Sequence, residues 1–378
     1  MRIMHIIIGL KSHGAELMLQ RLIEAAPAAI PNTVVVSLTS LGAIGESLRK
    51  QGVEVHVLGM SSGWSAPLAL WKLVRLIRQF QPDIVQTWMY HADLLGGLAA
   101  LLAGHRNIVW GVRQTSLWFS VSPSAFLARM ICAFFSGSVP KKIICVAESA
   151  KQSHIAVGYR AERMTVINNG FNFSTLVAST DKRQALRRAW NFTDSNVVIG
   201  AVGRFHPNKD YVNFVKAAAI VARARPEAMF ILVGADCDAN NAELRAWITE
   251  GGLQDRFVLL GERGDVPDCL AAMDVYCMSS RTEGFPNSLG EAMAMELPCV
   301  ATIVGDAAAL MGDTGVLVPP SDWKALAEGL LSIVRLSREQ REQFGRRARI
   351  RVTTAFPIEK TRDRYDAVYR KLLAEDKS

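Results

Sequence analysis

The chain has 378 residues, 50% of them hydrophobic and 21% charged, with a formal net charge of +8. This is globular composition, which excludes a disordered chain and gives enough length for two domains with separate cores. The positive excess lies wholly in residues 1–180, which hold 16 Lys and Arg against 8 Asp and Glu; the remainder holds 27 of each.

A basic half suits a phosphorylated substrate, an anionic membrane surface or nucleic acid. No RNP-type aromatic motif, zinc finger or helix-turn-helix signature is present, so nucleic acid is set aside. The richest apolar run, Phe126 to Val139, is short and is broken by Arg129, Ser136 and Gly137, so no spanning helix is expected. The N-terminus runs straight into an apolar strand without the pattern of a secretory signal. Cys132, Cys145, Cys237, Cys269, Cys277 and Cys299 form no CxxC pair. Reduced, buried thiols in a reducing cytosol are expected, with no disulfide frame and no zinc site.

Short apolar runs predict strands at Arg2–Ile8, Thr33–Leu38, Val53–Leu58, Asp83–Thr87, Asn107–Val112, Lys142–Val146 and Met164–Ile167. Helical patterns lie between them, as at Glu16–Ala26, Pro67–Gln79 and Ala92–Ala103. The alternation pauses at the polar stretch Asn168 to Asn172. It restarts with strands at Asn196–Val202, Met229–Val233, Arg256–Leu260, Asp274–Cys277, Cys299–Ala301 and Gly315–Val318. Two long helical patterns, Ser337–Thr354 and Ile358–Leu373, end the chain. The expectation is an α/β protein of two Rossmann-like, doubly wound parallel-sheet domains facing across a cleft. The domains are drawn at 1–172 and 173–356, with a C-terminal helix, 357–378, returning to the first.

In such sheets ligands bind beyond the carboxyl ends of the strands, so polar motifs there are the candidates. Gly203-Arg204-Phe205-His206-Pro207-Asn208-Lys209 follows the first strand of the second domain. Gly203 permits a tight turn, and Arg204 and Lys209 set two cations near a helix N-terminus, an arrangement suited to a diphosphate. The bland reading is a solvated basic turn. Further on, Glu283-Gly284-Phe285-Pro286-Asn287-Ser288-Leu289-Gly290-Glu291 follows another strand. Glu283 precedes a helix and Glu291 is placed about one and a half turns inside it. Both suit acceptance of hydrogen bonds from sugar hydroxyls, while the bland reading leaves Glu291 a solvated helix residue.

These motifs resemble those of the retaining glycosyltransferases of family 4, of the bacterial cell-surface polysaccharide type, which have the GT-B fold. The match rests on E-G-F-P-N-S-L-G-E-A-M-A with G-R-F-x-P-x-K upstream. Val166 to Asn172, Pro298 to Thr302, Gly315 to Pro320, Gly9 with His13-Gly14-Ala15-Glu16, and Asp83 to Asp93 extend it over nearly the whole chain. By position the resemblance implies that Arg204 and Lys209 hold a donor diphosphate, with Gly203 in the turn. Glu291 would bind the ribose hydroxyls and Glu283 would face the donor sugar. Backbone amides of Phe285, Pro286's neighbours Asn287 and Ser288, and Leu289 would assist the phosphates. Gly14 would lie in the glycine loop, and Arg263 and Val266 beside the nucleobase. His91 becomes an acceptor-side contact, against the reading of a helix-start residue with no role. Many members carry a His where this chain has Arg113; an Arg there serves a phosphate or sugar oxygen but not as a base. The family's Glu near Asp306 is missing.

Asp236-Cys237-Asp238 spells a metal-binding DxD of a different transferase fold, but such short motifs recur by chance. Trp64, Trp71, Trp88, Trp110, Trp118 and Phe119 read mainly as core, except Trp118-Phe119, read as an exposed apolar loop. The helical patterns Pro67–Gln79 and Phe126–Phe135, with Lys72, Arg75, Arg78 and Arg129, read as surface helices or as a contact with anionic lipid. The function expected is transfer of a hexose or N-acetylhexosamine from a nucleoside diphosphate sugar, UDP favoured over GDP. The acceptor expected is an oligosaccharide or lipid-linked glycan, on the cytoplasmic face of the plasma membrane, with no metal and no other cofactor. The alternatives are a non-catalytic nucleotide-sugar-binding subunit and a GT-B-fold sugar-nucleotide epimerase.

Overall fold

A computed structural model describes residues 1–11, 14–61, 65–115, 123–177 and 179–376. The chain forms two compact units, one of Met1–Gly170 with Ile358–Ser378, the other of Phe171–Pro357.

Unit 1 runs β1 (Ile3–Ile7), α1 (Gly14–Glu24), β2 (Thr33–Ser37), α2 (Gly42–Lys50), β3 (Glu54–Val57), α3 (Ala66–Phe80), β4 (Ile84–Trp88), α4 (Tyr90–Leu102), β5 (Ile108–Val112), α5 (Pro123–Phe135), β6 (Lys142–Cys145), α6 (Glu148–Ile155) and β7 (Met164–Val166). The seven strands are parallel in the order β3-β2-β1-β4-β5-β6-β7. Every residue of β1, β2, β4 and β5 is buried. Helices on both faces explain why these strands read as continuous apolar runs instead of alternating ones. The order reverses between β1 and β4, and ligands favour that carboxyl edge.

Unit 2 runs α7 (Thr180–Ala189), β8 (Val197–Val202), α8 (Tyr211–Ala224), β9 (Ala228–Val233), α9 (Ala242–Glu250), β10 (Phe257–Leu259), α10 (Val266–Ala271), β11 (Val275–Met278), α11 (Asn287–Ala294), β12 (Cys299–Thr302), α12 (Ala307–Met311), β13 (Val316–Val318), α13 (Trp323–Val334) and α14 (Arg338–Ala355). Its six parallel strands lie in the order β10-β9-β8-β11-β12-β13, reversing between β8 and β11. All six cysteines are free and buried.

The last helix, α15 (Ile358–Glu375), belongs to unit 1. Ile358, Tyr365, Tyr369 and Leu372 join the core formed by Leu19, Leu22 and Trp88. Tyr365 stacks on Trp88 with ring centroids 6.2 Å apart, and Tyr369 donates to Gln86 Oε1 at 3.0 Å. The Tyr369 hydroxyl is thereby satisfied inside the core, and the Tyr365 hydroxyl accepts from Arg113 at 3.2 Å.

α7 is fixed by charge. Asp274, just before β11, receives Arg183 at 2.6 Å, Arg187 at 2.9 Å and the Val198 amide at 2.8 Å. Burial alone would raise the Asp274 pKa, but the two guanidiniums and the amide hold it below the ordinary carboxylate value. Asp274→Ala leaves two cations without their anion and is expected to cost about 3–5 kcal/mol, read by chemical denaturation of unit 2. A lowered folded pKa places the Asp274 contribution above the unfolded value. It is lost as pH falls through the folded one, so the wild-type advantage over the variant should shrink in acid and persist at neutrality.

Candidate functional site

The loops leaving β8 and β11 meet at the switch point of unit 2. Gly203 donates to the Val233 carbonyl at 2.8 Å, and Gly234 donates to the Gly261 carbonyl at 2.7 Å, lacing the ends of β8, β9 and β10. A Cβ on Gly234, whose φ is 147°, would lie 2.1 Å from the Gly203 oxygen, so this close approach requires glycine. A short turn, Pro207–Lys209, is capped by His206, whose Nδ1 accepts from the Asn208 amide at 3.2 Å. Burial and then the charges of Arg204 and Lys209 lower the His206 pKa, which suits this acceptor role.

The two loops are tied by three bonds. The Arg281 amide donates to Asn208 O at 2.8 Å, Ser279 Oγ donates to Lys209 O at 2.8 Å, and the Arg281 guanidinium meets buried Asp210 at 2.8 Å. With its backbone so held, Lys209 sets Nζ 2.6 Å from Glu283 Oε1, and Ser280 Oγ donates to the same oxygen at 2.7 Å. Both side chains of the pair are largely covered, at 23% and 15% exposure. Arg204, on the same loop, is exposed and forms no ion pair with another described residue.

α11 begins at Asn287, and its N-cap, Pro286, provides no side-chain cap. The first turn of α11, with the amides of Asn287, Ser288 and Leu289 and the positive end of the helix dipole, follows Glu283 in the chain after Gly284, Phe285 and Pro286. The side chains of Phe285 and Leu289 are buried, Phe285 against Phe171 and Phe356. Only their backbones can serve a ligand. Ser288 Oγ accepts from Tyr276 at 2.8 Å. Glu291, half-buried, lies about one turn inside the helix, not one and a half, because the helix starts later than the sequence suggested. Behind the loop, the Asp306 amide donates to Gly284 O at 3.0 Å.

Arg263 forks onto Asp265 at 2.8 and 2.6 Å, and Val266 opens α10. They follow β10, separated from β8 by β9, and neither bonds to the Lys209–Glu283 cluster among the described residues. The Cys237 thiol is buried and donates to Gly203 O at 3.4 Å, and Asp238 Oδ1 accepts from the Asn240 amide at 2.8 Å. Among the described residues no group of three His, Cys, Asp or Glu could hold a metal ion.

Unit 1 brings Gly14, at the start of α1, His91, second in α4, and Arg113, just past β5, to the carboxyl edge of three adjacent strands. Arg113 is clamped: one nitrogen donates to Asn169 Oδ1, another to Tyr365 Oη at 3.2 Å, and its guanidinium lies 5.1 Å from the Trp88 ring centroid. Burial lowers the pKa of half-buried His91. Met89, between β4 and His91, has φ 74°, a strained value for a residue with a side chain. Asp93, one turn on, is fully buried; its Oδ1 accepts from Thr87 Oγ1 at 2.5 Å and the Gly111 amide at 3.3 Å. Asp93 Oδ2 has no partner among the described residues. Burial pushes its pKa up to about 8, so the carboxyl is protonated at neutral pH. Asp93, Asn169 and Tyr365 were given no role by sequence reasoning. The one available signal was a lone acid in the apolar run Tyr90–Leu102.

Several sequence readings shift. Arg129 faces inward, not outward with a basic surface. Trp88 and Trp110 are core, while Trp71 is exposed. His5 is packed in the core, where burial lowers its pKa to about 3. His13, Trp64, Trp118 and Phe119 lie outside the described residues.

Two family models match the chain, Glycosyltransferase Family 4 over residues 13–175 and Glycosyl transferases group 1 over residues 196–335. The chain belongs to glycosyltransferase family 4. A family relative, the UDP-Gal:alpha-D-GlcNAc-diphosphoundecaprenol alpha-1,3-galactosyltransferase of Escherichia coli, is 26% identical over 270 residues, 70% of each chain. The capsular polysaccharide biosynthesis glycosyltransferase CapM of Staphylococcus aureus is 24% identical over 88% of this chain and 89% of its own. The crystal structure of Anabaena HepE in complex with UDP-glucose superposes with a TM-score of 0.86 at 23% identity, covering 98% of this chain and 100% of that one. The family member described here thus has the GT-B fold.

The protonated Asp93 has a consequence for pH. A folded pKa near 8 against an ordinary 3.8 means its contribution is complete below the ordinary value and is lost as pH rises through about 8. Asp93→Asn keeps a neutral acceptor at every pH. The variant should gain on the wild type across that window by at most about 1.4 kcal/mol per pH unit. Denaturant midpoints measured from acid to mild alkali check this; parallel profiles would contradict a raised pKa.

Proposed function

We propose that this glycosyltransferase moves a hexose or N-acetylhexosamine from a nucleoside diphosphate sugar to a lipid-linked glycan during cell-surface polysaccharide assembly, with retention at the anomeric carbon. The observation that carries the reading is the Lys209–Glu283 pair at 2.6 Å, formed between the loop that also carries Arg204 and the loop that leads into α11. Negative charge develops on the leaving diphosphate as the glycosidic bond breaks. Arg204, Lys209 and the α11 amides are aimed where that charge grows, and pre-set donors of this kind give a large share of rate acceleration. Glu283, fixed by Lys209 and Ser280, orients sugar hydroxyls, and Glu291 takes the ribose hydroxyls. Gly203, Phe285, Pro286, Asn287, Ser288 and Leu289 contribute backbone, and Arg263 and Val266 flank the nucleobase. An oxocarbenium-like sugar needs little covalent help when the acceptor is held on the leaving-group face, which accounts for retention.

In unit 1, Gly14, His91 and the clamped Arg113 serve as substrate contacts. The E. coli relative's UDP-sugar donor and diphosphoundecaprenol-linked acceptor support UDP and a lipid-linked substrate, and the HepE complex with UDP-glucose agrees with UDP. Among the described residues no helix is long and apolar enough to cross a membrane. We place the enzyme on the cytoplasmic face of the plasma membrane as a peripheral protein.

Transfer from UDP-sugars to diphosphate-lipid-linked saccharides, with the product's anomeric configuration read by NMR, tests this directly; binding without transfer to any acceptor would leave only a nucleotide-sugar-binding subunit. Arg204→Ala and Glu291→Ala should each weaken UDP binding by about 1.5–3 kcal/mol, the worth of a hydrogen bond to a charged group. Calorimetry showing unchanged affinity in both variants contradicts the assignment. Because the cations come from the protein, chelator should leave turnover intact. Loss of turnover in chelator, restored by manganese, would return attention to Asp236 and Asp238.

A further inference from the structure

Surface helices of water-soluble folds turn charge outward and apolar side chains inward. α5 does the reverse. Its 13 residues contain one charged side chain, Arg129, which is 5% exposed and donates to the Ser153 carbonyl at 3.0 Å. Phe126, Leu127, Met130 and Phe134 recur at helical spacing on the other side and are 54%, 60%, 41% and 82% exposed. Among the described residues nothing covers them, and apolar faces of this extent mark contact with another apolar phase.

The neighbouring helices extend the face. α4 packs between α3 and α5 and exposes Leu98 and Leu102. α3 turns Trp71, Arg75 and Arg78 outward, with the Arg75 guanidinium 5.8 Å from the Trp71 ring centroid and Arg78 donating to Leu102 O at 2.9 Å. The three helices contain a single acid, Asp93, and it is buried. The outer face is therefore apolar and cationic with no exposed carboxylate. Unit 1 as a whole holds 22 Lys and Arg against 13 Asp and Glu.

We propose that this three-helix face docks the enzyme on an anionic lipid bilayer. The α5 side chains enter the boundary between headgroups and acyl chains, Trp71 sits at headgroup depth, and Arg75 and Arg78 reach lipid phosphates. A second copy fits the face poorly. In a two-fold interface each patch meets itself, and these arginines would face one another with no acid to pair. The inference deepens the lipid-linked acceptor reading and rests on it for its purpose. α3, α4 and α5 follow the carboxyl ends of β3, β4 and β5, so the docked face begins near the edge of unit 1 that carries His91 and Arg113 and runs along the helices away from it.

The test is sedimentation of the full chain with vesicles of phosphatidylcholine alone or mixed with phosphatidylglycerol, at low and high salt. The wild type should bind the mixed vesicles, and part of that binding should survive high salt, which screens charge but not apolar insertion. Combining Phe126→Ser, Met130→Ser and Phe134→Ser should remove the salt-resistant part and lower partition at least about tenfold. Combining Arg75→Glu and Arg78→Glu should remove the salt-sensitive part. UDP binding, by calorimetry, should be unchanged in both variants, which shows that they fold and separates docking from the donor site. Loss of UDP binding in the wild type with vesicle binding intact would sink the transferase reading alone. A wild type that ignores phosphatidylglycerol vesicles, or a triple variant that binds them equally, overturns the proposal. So does a self-associated wild type that the triple variant turns into monomer, because the face would then belong to a second copy.

Discussion

The donor site proposed for unit 2 depends on one contact, Lys209 held against Glu283. The two residues come from loops that leave neighbouring parallel strands, and such loops diverge unless something ties them. Here the ties are backbone-directed: Arg281 N to Asn208 O, Ser279 Oγ to Lys209 O, and the Arg281–Asp210 pair behind them. A long lysine held only by its charge would sample many rotamers. With its own carbonyl and the partner loop fixed, it loses much less freedom on meeting a ligand. The same lacing holds Lys209 at Glu283, a few residues before the start of α11, and in the proposed site the helix dipole and this cation act on the same diphosphate.

Unit 1 uses a different device. Two groups at its carboxyl edge have their protons settled by burial instead of by charge pairing. Asp93 is kept protonated under the strained Met89 turn, His91 is biased to its neutral form, and Arg113 is fixed by Asn169, Tyr365 and Trp88. Tyr365 comes from α15, which explains why the last helix of the chain belongs with the first sheet: it completes both a core and the clamp on Arg113. An arginine so held presents fixed donors and is no general base, which is why binding and orientation are the roles proposed for that position.

The strands were legible because a parallel sheet covered on both faces writes each strand as an unbroken apolar run, as in Thr33–Ser37 and Ile84–Trp88. The motif at 283–291 stood out because polar residues soon after an apolar strand have few structural roles. Three things were not legible. The Asp93 pKa depends on a three-dimensional enclosure that no local window encodes. The Arg113 clamp joins residues 56 and 252 positions apart. The inverted α5 deceived amphipathic reasoning, which assigned Arg129 to the outside. Periodicity shows that a helix has two faces but not which one the protein buries.

Amide hydrogen exchange with and without UDP tests the central claim most directly, because it reports on backbone groups that mutagenesis cannot remove. The account expects UDP to slow exchange at the first-turn amides of Asn287 to Leu289 and in the loop from Gly203 to Lys209, with unit 1 little changed. Protection confined to unit 1, or none at the start of α11 under saturating UDP, would contradict a diphosphate site at the β8–β11 switch point.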